Sequence, residues 1–216
     1  MVDNAQGATY KGKLITFEGG EGGGKSTQIK KLAQTLTNKG YDVVVTREPG
    51  GTDAAEALRE VFIKHKGYDW DVVAQAYWVF TARRLHLVEK ILPALHGGKV
   101  VLCDRFTDSS RVYQGIAGEL GLDKLESIKE NAIGSFEPDL TFVLDIDPVV
   151  GLERAGRREA NENSFEAKAM AFHEKIRDGY RQICIRYPQR CIMIDANRTK
   201  GEIYKDIESE CLKSLA

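Results

Sequence analysis

The sequence predicts an α/β fold in which a five-stranded parallel sheet is sandwiched by helices on both faces. Along its 216 residues, short aliphatic runs alternate with helix-length segments. The runs do not alternate between apolar and polar residues, which is typical of strands that helices cover on both faces. The first run is followed by Gly-Gly-Glu-Gly-Gly-Gly-Lys-Ser at residues 19–26. A strand, a glycine-rich turn and a helix in this order indicate a βα unit of such a sheet.

Five strands and eight helices follow from this pattern. The strands are expected at residues 13–18, 42–46, 99–103, 140–145 and 191–194. The helices are expected near residues 26–39, 53–65, 72–96, 108–117, 122–133, 148–157, 165–187 and 200–214. Gly40 and the pair Gly97-Gly98 suit helix ends that lead into strands, and Pro148 suits the first turn of a helix. Pro93 lies inside the third helical segment and predicts a kink or an early end there.

The composition indicates one soluble domain. The 31 basic and 32 acidic residues give a net charge of −1, so we expect no extended basic surface and no nucleic-acid partner. No run reaches the length of a membrane span, and we expect no membrane partner and a cytoplasmic location. Residues 1–12 suggest a flexible leader, and residues 13–216 a single domain. The four cysteines have no CxxC spacing, which argues against a cysteine-bound metal.

The glycine-rich segment has the form GxxxxGK[ST] of a phosphate-binding loop. Its glycines let successive backbone N–H groups point at phosphate oxygens, and the helix that follows adds the positive end of its dipole. Lys25 is expected to reach the β and γ phosphates of a nucleotide, and the Ser26 hydroxyl to bind Mg²⁺. A flexible turn before an ordinary helix is the alternative, but such a turn gives the Lys-Ser pair no role.

Charged residues also follow the second and third strands. Asp104 ends the third strand, where an acid beside a phosphate loop holds Mg²⁺, usually through water; a turn-forming Asp is the alternative. Arg105 comes next, and Arg47 leaves the second strand. Because the carboxyl ends of parallel strands meet at one edge of the sheet, both guanidinium groups are expected beside the phosphate loop. Their convergence predicts an anionic second substrate, such as a phosphate monoester.

Two pairs of residues are candidates for the wall of a binding pocket. Phe80 and Arg84 lie four residues apart on one face of the third helix, where Phe can stack on a heterocycle while Arg binds its edge. A core aromatic beside an Arg that extends to solvent is the alternative. Tyr113 and Gln114 either line the same pocket or pack in the core.

The most polar stretch of the chain, Glu153 to Asn163, is either a surface loop or a lid. It contains Arg154, Arg157 and Arg158. In phosphoryl transfer, arginines stabilise the charge on the transferred group, and a closing segment excludes water. Together with the phosphate loop, this cluster predicts a lid at about residues 153–165.

Taken in order along the chain, these segments resemble bacterial thymidylate kinases. The resemblance rests on Phe-Glu-Gly-Gly-Glu-Gly-Gly-Gly-Lys-Ser-Thr at 17–27, Arg-Glu-Pro-Gly-Gly-Thr at 47–52, Phe80 with Arg84, Asp-Arg-Phe at 104–106, Tyr-Gln-Gly at 113–115, and Pro-Asp-Leu-Thr at 138–141 with Leu-Asp at 144–145. The segment at 47–52 is the most specific part. The resemblance implies a P-loop kinase fold, transfer of the ATP γ-phosphate to dTMP to give dTDP in dTTP biosynthesis, a Mg²⁺ requirement and a homodimer.

The resemblance also implies roles for individual residues. The ATP phosphates would be bound by Gly19, Gly20, Glu21, Gly22, Gly23, Gly24, Lys25, Ser26 and Thr27, together with Arg154, and Mg²⁺ by Ser26 and Asp104. The acceptor site would consist of Glu21 near the sugar hydroxyl, Arg47 and Arg105 at the phosphate, Phe80 stacked on thymine, Arg84 and Ser110 at its polar edge, Tyr113 against the deoxyribose, and Glu48, Pro49 and Gln114.

We expect direct in-line transfer without a covalent intermediate, because a phosphate monoester oxygen is already an adequate nucleophile. Catalysis would then rest on positioning and charge neutralisation by Lys25, Mg²⁺, Arg105 and a lid arginine. Glu21 is a further catalytic candidate. A kinase for another nucleotide or nucleoside is the main alternative. A nucleotide-binding switch is a further alternative, although the chain carries no Asn-Lys-x-Asp segment for reading guanine.

The chain departs from the family pattern in the lid. Family members with an acidic residue in the phosphate loop place the catalytic arginine in the lid, and one such Arg usually precedes an aromatic-Glu pair. Here Ser164 precedes Phe165-Glu166. Arg158 is therefore the first candidate for contact with the γ-phosphate, and Arg157 the second.

Overall fold

A sheet of five parallel strands forms the centre of the protein. The computed structural model describes residues 10–64, 70–156 and 164–215. The strands are β1 (Lys13–Gly19), β2 (Val43–Arg47), β3 (Val100–Asp104), β4 (Leu140–Asp145) and β5 (Cys191–Asp195). Their order is β2-β3-β1-β4-β5, so β1 pairs with β3 on one side and with β4 on the other. The predicted sheet is confirmed, each strand lying within one residue of its expected bounds.

Helices connect the strands and follow the last strand in the described part of the chain. They are α1 (Lys25–Asn38), α2 (Asp53–Lys64), α3 (Val72–His86), α4 (Leu92–His96), α5 (Thr107–Ser110), α6 (Leu122–Ile133), α7 (Pro148–Arg154), α8 (Ser164–Arg186) and α9 (Lys200–Leu215). Two π-helical turns, Leu87–Ile91 and Arg111–Ala117, continue α3 and α5.

The two faces of the sheet are covered by different helices, as the apolar strands predict. Because successive side chains of a strand point to opposite faces, Ile15 packs in the core formed with α1 and α9. Leu14, one residue earlier, packs in the core formed with α3, α4 and α6. Val143 of β4 packs against α8. All three side chains are at most 1% exposed.

Pro93 does not end the third helical segment. The chain passes from α3 through the π-helical turn Leu87–Ile91 into α4, whose first turn contains Pro93. A proline ring clashes with the carbonyl four residues earlier in a regular α-helix. The wider turn directly before Pro93 relieves this clash, so the helix continues to the glycines that precede β3.

The carboxyl ends of the strands place three loops side by side. Arg47 at the end of β2 is in register with Asp104 at the end of β3, and Gly19 at the end of β1 is in register with Leu144. The loops that follow these strands therefore meet at one edge of the sheet. In open parallel sheets, this edge is where ligands bind.

Parts of the predicted leader and lid can be described. The Tyr10 ring lies 5.1 Å from the His96 ring, and the Gly12 N–H donates to the Leu95 carbonyl at 3.0 Å, so residues 10–12 pack on the domain. Residues 1–9 and 157–163 lie outside the described residues, and the leader and lid therefore stay predictions. None of the described helices combines the length and apolar character of a membrane span.

Candidate active site

The glycine-rich segment forms a loop between β1 and α1, as its sequence predicts. Gly22 and Gly24 have φ angles of +69° and +87°, in the left-handed region that favours glycine. Within the loop, Lys25 Nζ donates to the carbonyl oxygens of Gly19 at 3.1 Å and Gly20 at 2.9 Å. The loop thus holds its lysine in place at the point where a polyphosphate would lie.

A cleft of about 630 Å³ opens beside this loop. Its lining consists of Gly22, Gly23, Gly24, Lys25, Ser26, Thr27, Gln28, Arg154, Arg198, Thr199, Lys200 and Ile203. Arg154 is fixed by a hydrogen bond from Nη1 to the Ala196 carbonyl at 2.9 Å. The structure thus brings Arg154, one of the residues expected to bind the nucleotide, to the phosphate loop. The loop after β5 supplies Arg198.

Ser26 and Asp104 meet as expected for a metal pair. Ser26 Oγ donates to Asp104 Oδ2 at 2.9 Å. Both groups offer oxygen ligands, which Mg²⁺ prefers. No group of three or more His, Cys, Asp or Glu side chains suited to a metal occurs among the described residues. The donor set therefore fits an ion that takes two protein oxygens and completes its shell with phosphates and water.

A second cavity of about 250 Å³ lies next to the phosphate loop, and we call it the acceptor pocket. It is lined by Glu21, Glu48, Pro49, Gln75, Trp78, Val79, Arg83, Arg105, Ser109, Ser110, Tyr113 and Gln114. Seven of these residues, Glu21, Glu48, Pro49, Arg105, Ser110, Tyr113 and Gln114, are ones that the sequence analysis assigns to a substrate. Because Glu21 belongs to the phosphate loop, the pocket and the loop adjoin.

Arg105 is held rigidly in the acceptor pocket. Its Nη1 donates to Ser109 Oγ and to the Tyr180 hydroxyl, both at 3.1 Å, and the guanidinium lies 5.1 Å from the Tyr113 ring centroid. Burial alone would lower the pKa of Arg105, but Tyr180, Tyr113 and Glu18 more than offset this and raise it. The Arg105 backbone has a φ of +70°, which is costly for a residue with a side chain.

Glu18 explains how the chain sustains this backbone conformation. Its Oε1 accepts from the Phe106 N–H at 2.7 Å, and its Oε2 accepts from the Tyr180 hydroxyl at 3.0 Å. Burial, and next the charge of Asp108, raise the pKa of Glu18 to about 7. The sequence analysis missed this role, although a glutamate inside an apolar strand is a signal for it.

Lys25 and Arg105 are electrostatic neighbours. Burial, and next the positive charge of Arg105, lower the pKa of Lys25 to about 8. An anion bound near both cations would offset this repulsion. Lys25 lines the phosphate-loop cleft and Arg105 lines the acceptor pocket, and the two cavities adjoin where Glu21 of the pocket precedes Gly22 of the cleft.

The pocket-facing side of α3 differs by one residue from the prediction. Phe80 and Arg84 share a face, but it faces a separate groove with Tyr77, Leu85 and Ile128. Arg84 Nη1 donates to the Ala132 carbonyl at 2.6 Å there. Phe80 is buried in the core, with 1% of its surface exposed. The assignment of both side chains to the acceptor pocket is therefore corrected.

Val79 and Arg83 occupy the corresponding positions in the acceptor pocket. Arg83 is 1% exposed and donates from Nη1 to Ser110 Oγ and from Nη2 to the Phe106 carbonyl, both at 2.9 Å. Its guanidinium also lies 4.6 Å from the Phe80 ring centroid. Phe80 therefore supports the pocket arginine from behind. A four-residue spacing identifies a helix face, but not which pocket that face lines.

Arg47 does not join Arg105 in the acceptor pocket, which corrects a second expectation. Its Nη2 donates to both carboxylate oxygens of Glu56 at 3.1 Å, and its side chain is 57% exposed. Since successive residues of an extended chain point to opposite sides, Glu48 faces the pocket and Arg47 faces a groove beside Ser26.

Three more residues near the site were missed by the sequence analysis. Arg59 Nη1 donates to the Pro49 carbonyl at 2.8 Å, and burial, then the Arg47 charge, lower its pKa. Trp78 lines the acceptor pocket, and Tyr180 orients Arg105 from α8. Arg157 and Arg158 lie outside the described residues, so their contact with a γ-phosphate stays a prediction.

Known proteins match the chain over most of its length. The family model described as thymidylate kinase matches residues 17–207. A thymidylate kinase of Geobacillus thermodenitrificans is 44% identical over 205 residues, covering 94% of this chain and 91% of that protein. One of Caulobacter vibrioides is 46% identical over 187 residues, covering 87% and 89%. The crystal structure of the Ehrlichia chaffeensis thymidylate kinase has a TM-score of 0.75 at 31% identity, covering 95% of this chain and 99% of that one. The phosphate loop, the neighbouring acceptor pocket and these matches lead to one conclusion: the chain belongs to the thymidylate kinase family.

Proposed function

We propose that this protein transfers the γ-phosphate of ATP to dTMP, giving dTDP in dTTP biosynthesis. One observation carries the proposal beyond family membership. Glu21 lines the acceptor pocket and the next residue, Gly22, lines the phosphate-loop cleft, and after burial the charge of Arg105 is the largest cause that lowers the pKa of Lys25. A donor phosphate on Lys25 and an acceptor phosphate on Arg105 would then lie close together, as direct in-line transfer requires. No covalent intermediate is needed.

Charge neutralisation and positioning carry the catalysis in this proposal. Lys25 neutralises the donor phosphates, and Arg105 binds the acceptor phosphate next to them. Mg²⁺, when held by Ser26 and Asp104, would neutralise the polyphosphate further and fix its orientation. Arg158 or Arg157 would approach the γ-phosphate from the predicted lid.

Arg83 takes the role of base recognition in this site, together with Ser110. The guanidinium presents N–H donors in one plane, and thymine offers carbonyl acceptors at its edge. Trp78 and Val79 form the apolar wall for the base. Glu21 would lie near the sugar hydroxyl, and Tyr113 against the deoxyribose.

A homodimer and a cytoplasmic location complete the proposal. Val73, Tyr77 and Val88 on the segment of α3 and its π-helical extension are 44%, 59% and 41% exposed, and Val61 on α2 is 43% exposed. Exposed apolar side chains on these two helices fit a subunit interface. All four cysteines are free, which fits a reducing compartment.

The test of the function is a coupled ADP-release assay on the purified protein with ATP, Mg²⁺ and each of dTMP, dUMP, dCMP, dGMP and AMP. We expect the highest kcat/KM with dTMP. A clear preference for another acceptor would replace dTMP in the proposal, and no turnover with any acceptor would contradict the kinase assignment itself.

Arg83 and Arg84 are adjacent on α3, and matched variants of the two test which side chain contacts the acceptor. Arg83→Lys keeps the charge beside Glu48 but loses the planar fork, so we expect the KM for dTMP to rise about tenfold, as for the loss of one hydrogen bond to a charged group. Arg84→Lys, one residue further along α3, should change it by less than twofold. The same assay measures both, and a larger effect at position 84 would return the site to the face that carries Phe80.

A further inference from the structure

His86 of α3 connects the second strand to the wall of the acceptor pocket. Its side chain is fully buried, with 0% exposure. The ring nitrogens contact two different groups: Nε2 lies 2.7 Å from Thr46 Oγ1, and Nδ1 lies 3.0 Å from Glu48 Oε1. His86 does not line the pocket, so any effect on a substrate must pass through these partners.

The chemistry of the partners orders the hydrogen bonds of the ring. An ionised carboxylate only accepts, so His86 Nδ1–H donates to Glu48. In the neutral ring, Nε2 is then the acceptor, and the Thr46 hydroxyl donates to it. His86 therefore fixes one oxygen of Glu48 relative to β2.

The other carboxylate oxygen of Glu48 holds the pocket arginine. Arg83 Nε donates to Glu48 Oε2 at 2.6 Å, and the two side chains are only 1% and 2% exposed. With both oxygens engaged, the Glu48 carboxylate cannot turn about its own axis. The plane of the Arg83 guanidinium is therefore set by a chain of contacts that begins at Thr46.

The backbone of the 47–52 segment packs directly against the contacts between His86 and Thr46. A Cβ added to Gly51 would lie 2.4 Å from His86 Nε2 and 2.7 Å from Thr46 Oγ1, and Gly51 has a φ of +96°. Lys90, four residues after His86, donates from Nζ to the Gly51 carbonyl at 3.0 Å. Lys90 thus holds the segment at Gly51, whereas Arg83 and His86 contact Glu48, each at a different carboxylate oxygen.

We propose that His86 is a positioning residue for acceptor recognition, which fixes Glu48 so that Arg83 presents its donors to the edge of the base. The inference rests on the proposed function, in which the acceptor is a thymine nucleotide. According to this inference, the fully buried His86 side chain affects the binding of the acceptor but not the binding of ATP.

The test compares His86→Leu with His86→Gln. Leucine fills the space but cannot form hydrogen bonds with Glu48 or Thr46. We expect the KM for dTMP to rise about tenfold and the dTMP-over-dCMP preference to fall by a similar factor. The KM for ATP should stay within twofold of the wild-type value. Glutamine offers an N–H to Glu48 and an oxygen to Thr46, and should restore both values to within threefold of wild type.

Lys90→Met is the control for a purely structural role, because it removes a contact with the 47–52 segment that does not involve Glu48. It should leave the dTMP-over-dCMP preference unchanged. If His86→Leu and Lys90→Met change this preference equally, or if His86→Gln behaves like His86→Leu, the inference is wrong.

A second readout separates this inference from the proposed function. The Arg83 Nε–H, resolved by NMR of the ¹⁵N-labelled protein, should exchange with solvent at least tenfold faster in His86→Leu and at the wild-type rate in Lys90→Met. Absence of dTMP phosphorylation by the wild type would overturn the function, whereas unchanged exchange in His86→Leu would overturn the positioning role.

Discussion

At the scale of single residues, Lys25 has two possible sets of partners: the backbone carbonyls of its own loop and the phosphates of a bound nucleotide. Its ammonium group donates to the carbonyls of Gly19 and Gly20, which are weaker partners than a phosphate. Burial, together with the neighbouring Arg105 charge, lowers its pKa to about 8. The ammonium form is thus only modestly favoured at neutral pH, and a bound polyphosphate would stabilise it.

This balance predicts a pH dependence of nucleotide binding. Lys25 is charged below pH 8 and loses its proton above it. Since the phosphate contact needs the charged form, we expect the Kd of a non-hydrolysable ATP analogue to rise about tenfold for each pH unit above 8. Isothermal titration between pH 6.5 and 9.5 measures this. In Lys25→Met, binding should be weak and nearly independent of pH, and an equal slope in that variant would assign the titration to another group.

The residues of the site were predictable where a motif fixes both position and partner. Ser26 and Asp104 meet because the phosphate loop and the end of β3 are adjacent by topology. Arg83 could not be distinguished from Arg84, because spacing along a helix does not give its rotation relative to the sheet. Glu18 was missed because its partners lie up to 162 residues away in the sequence.

At the scale of elements, the phosphate loop is packed against α7 through two glycines. A Cβ added to Gly22 would lie 1.9 Å from the Gly151 carbonyl oxygen, and one added to Gly151 would lie 2.5 Å from the Glu21 carbonyl oxygen. Backbone therefore meets backbone at this contact. The helix that leads into the predicted lid is thus in direct contact with the loop that binds phosphate.

This contact predicts the effect of Gly151→Ala. The added methyl group would push α7 away from the loop, and overpacking of this kind costs about 1–3 kcal/mol. We expect the KM for ATP to rise at least fivefold, with a smaller change in the KM for dTMP, in the coupled assay. Gly201→Ala in α9 is the control, since a Cβ there meets nothing within 4 Å. If both substitutions raise the KM for ATP equally, the effect of Gly151→Ala does not arise from the contact between α7 and the phosphate loop.

The elements themselves were largely predictable from the sequence. Apolar runs located the strands because most positions of a strand that is buried on both faces are apolar. The π-helical turns Leu87–Ile91 and Arg111–Ala117 were not predictable, since a widened turn depends on packing around the helix and leaves no periodic signal. The predicted helix at 72–96 includes Pro93, but the sequence did not show whether the helix would kink or end there.

At the scale of the whole molecule, buried charges link segments that are distant in sequence. Arg111 is 1% exposed and contacts Asp108, Glu126 and Glu137, while Arg190 also donates to Asp108 at 2.6 Å. Burial alone would raise the pKa of Asp108, but hydrogen bonds from Arg190 and the charges of both arginines lower it. Such pairings depend on the complete tertiary structure, so the sequence analysis could not identify them.

Glu18 differs from Asp108, because its environment raises its pKa and favours the protonated form. Burial, and next the charge of Asp108, raise its pKa from an ordinary value near 4.5 to about 7. Between these values the folded protein binds a proton that the unfolded chain does not. The free energy of unfolding contributed by Glu18 is therefore highest below pH 4.5 and falls as the pH rises from 4.5 to 7, by roughly 3 kcal/mol in all.

Glu18→Gln isolates this contribution, because the amide oxygen can accept from the backbone N–H groups while the amide nitrogen donates to Ser109 and Tyr180. Urea unfolding at pH 5, 6, 7 and 8 gives the free energy of unfolding of both proteins. Relative to wild type, we expect the variant to gain roughly 2 kcal/mol between pH 5 and pH 8. Glu130→Gln, on the exposed face of α6, should follow the wild-type curve at every pH. A constant difference between wild type and Glu18→Gln across this range would mean that Glu18 has the same charge at pH 5 and pH 8, and that the Arg105 turn is held by an ionised carboxylate throughout.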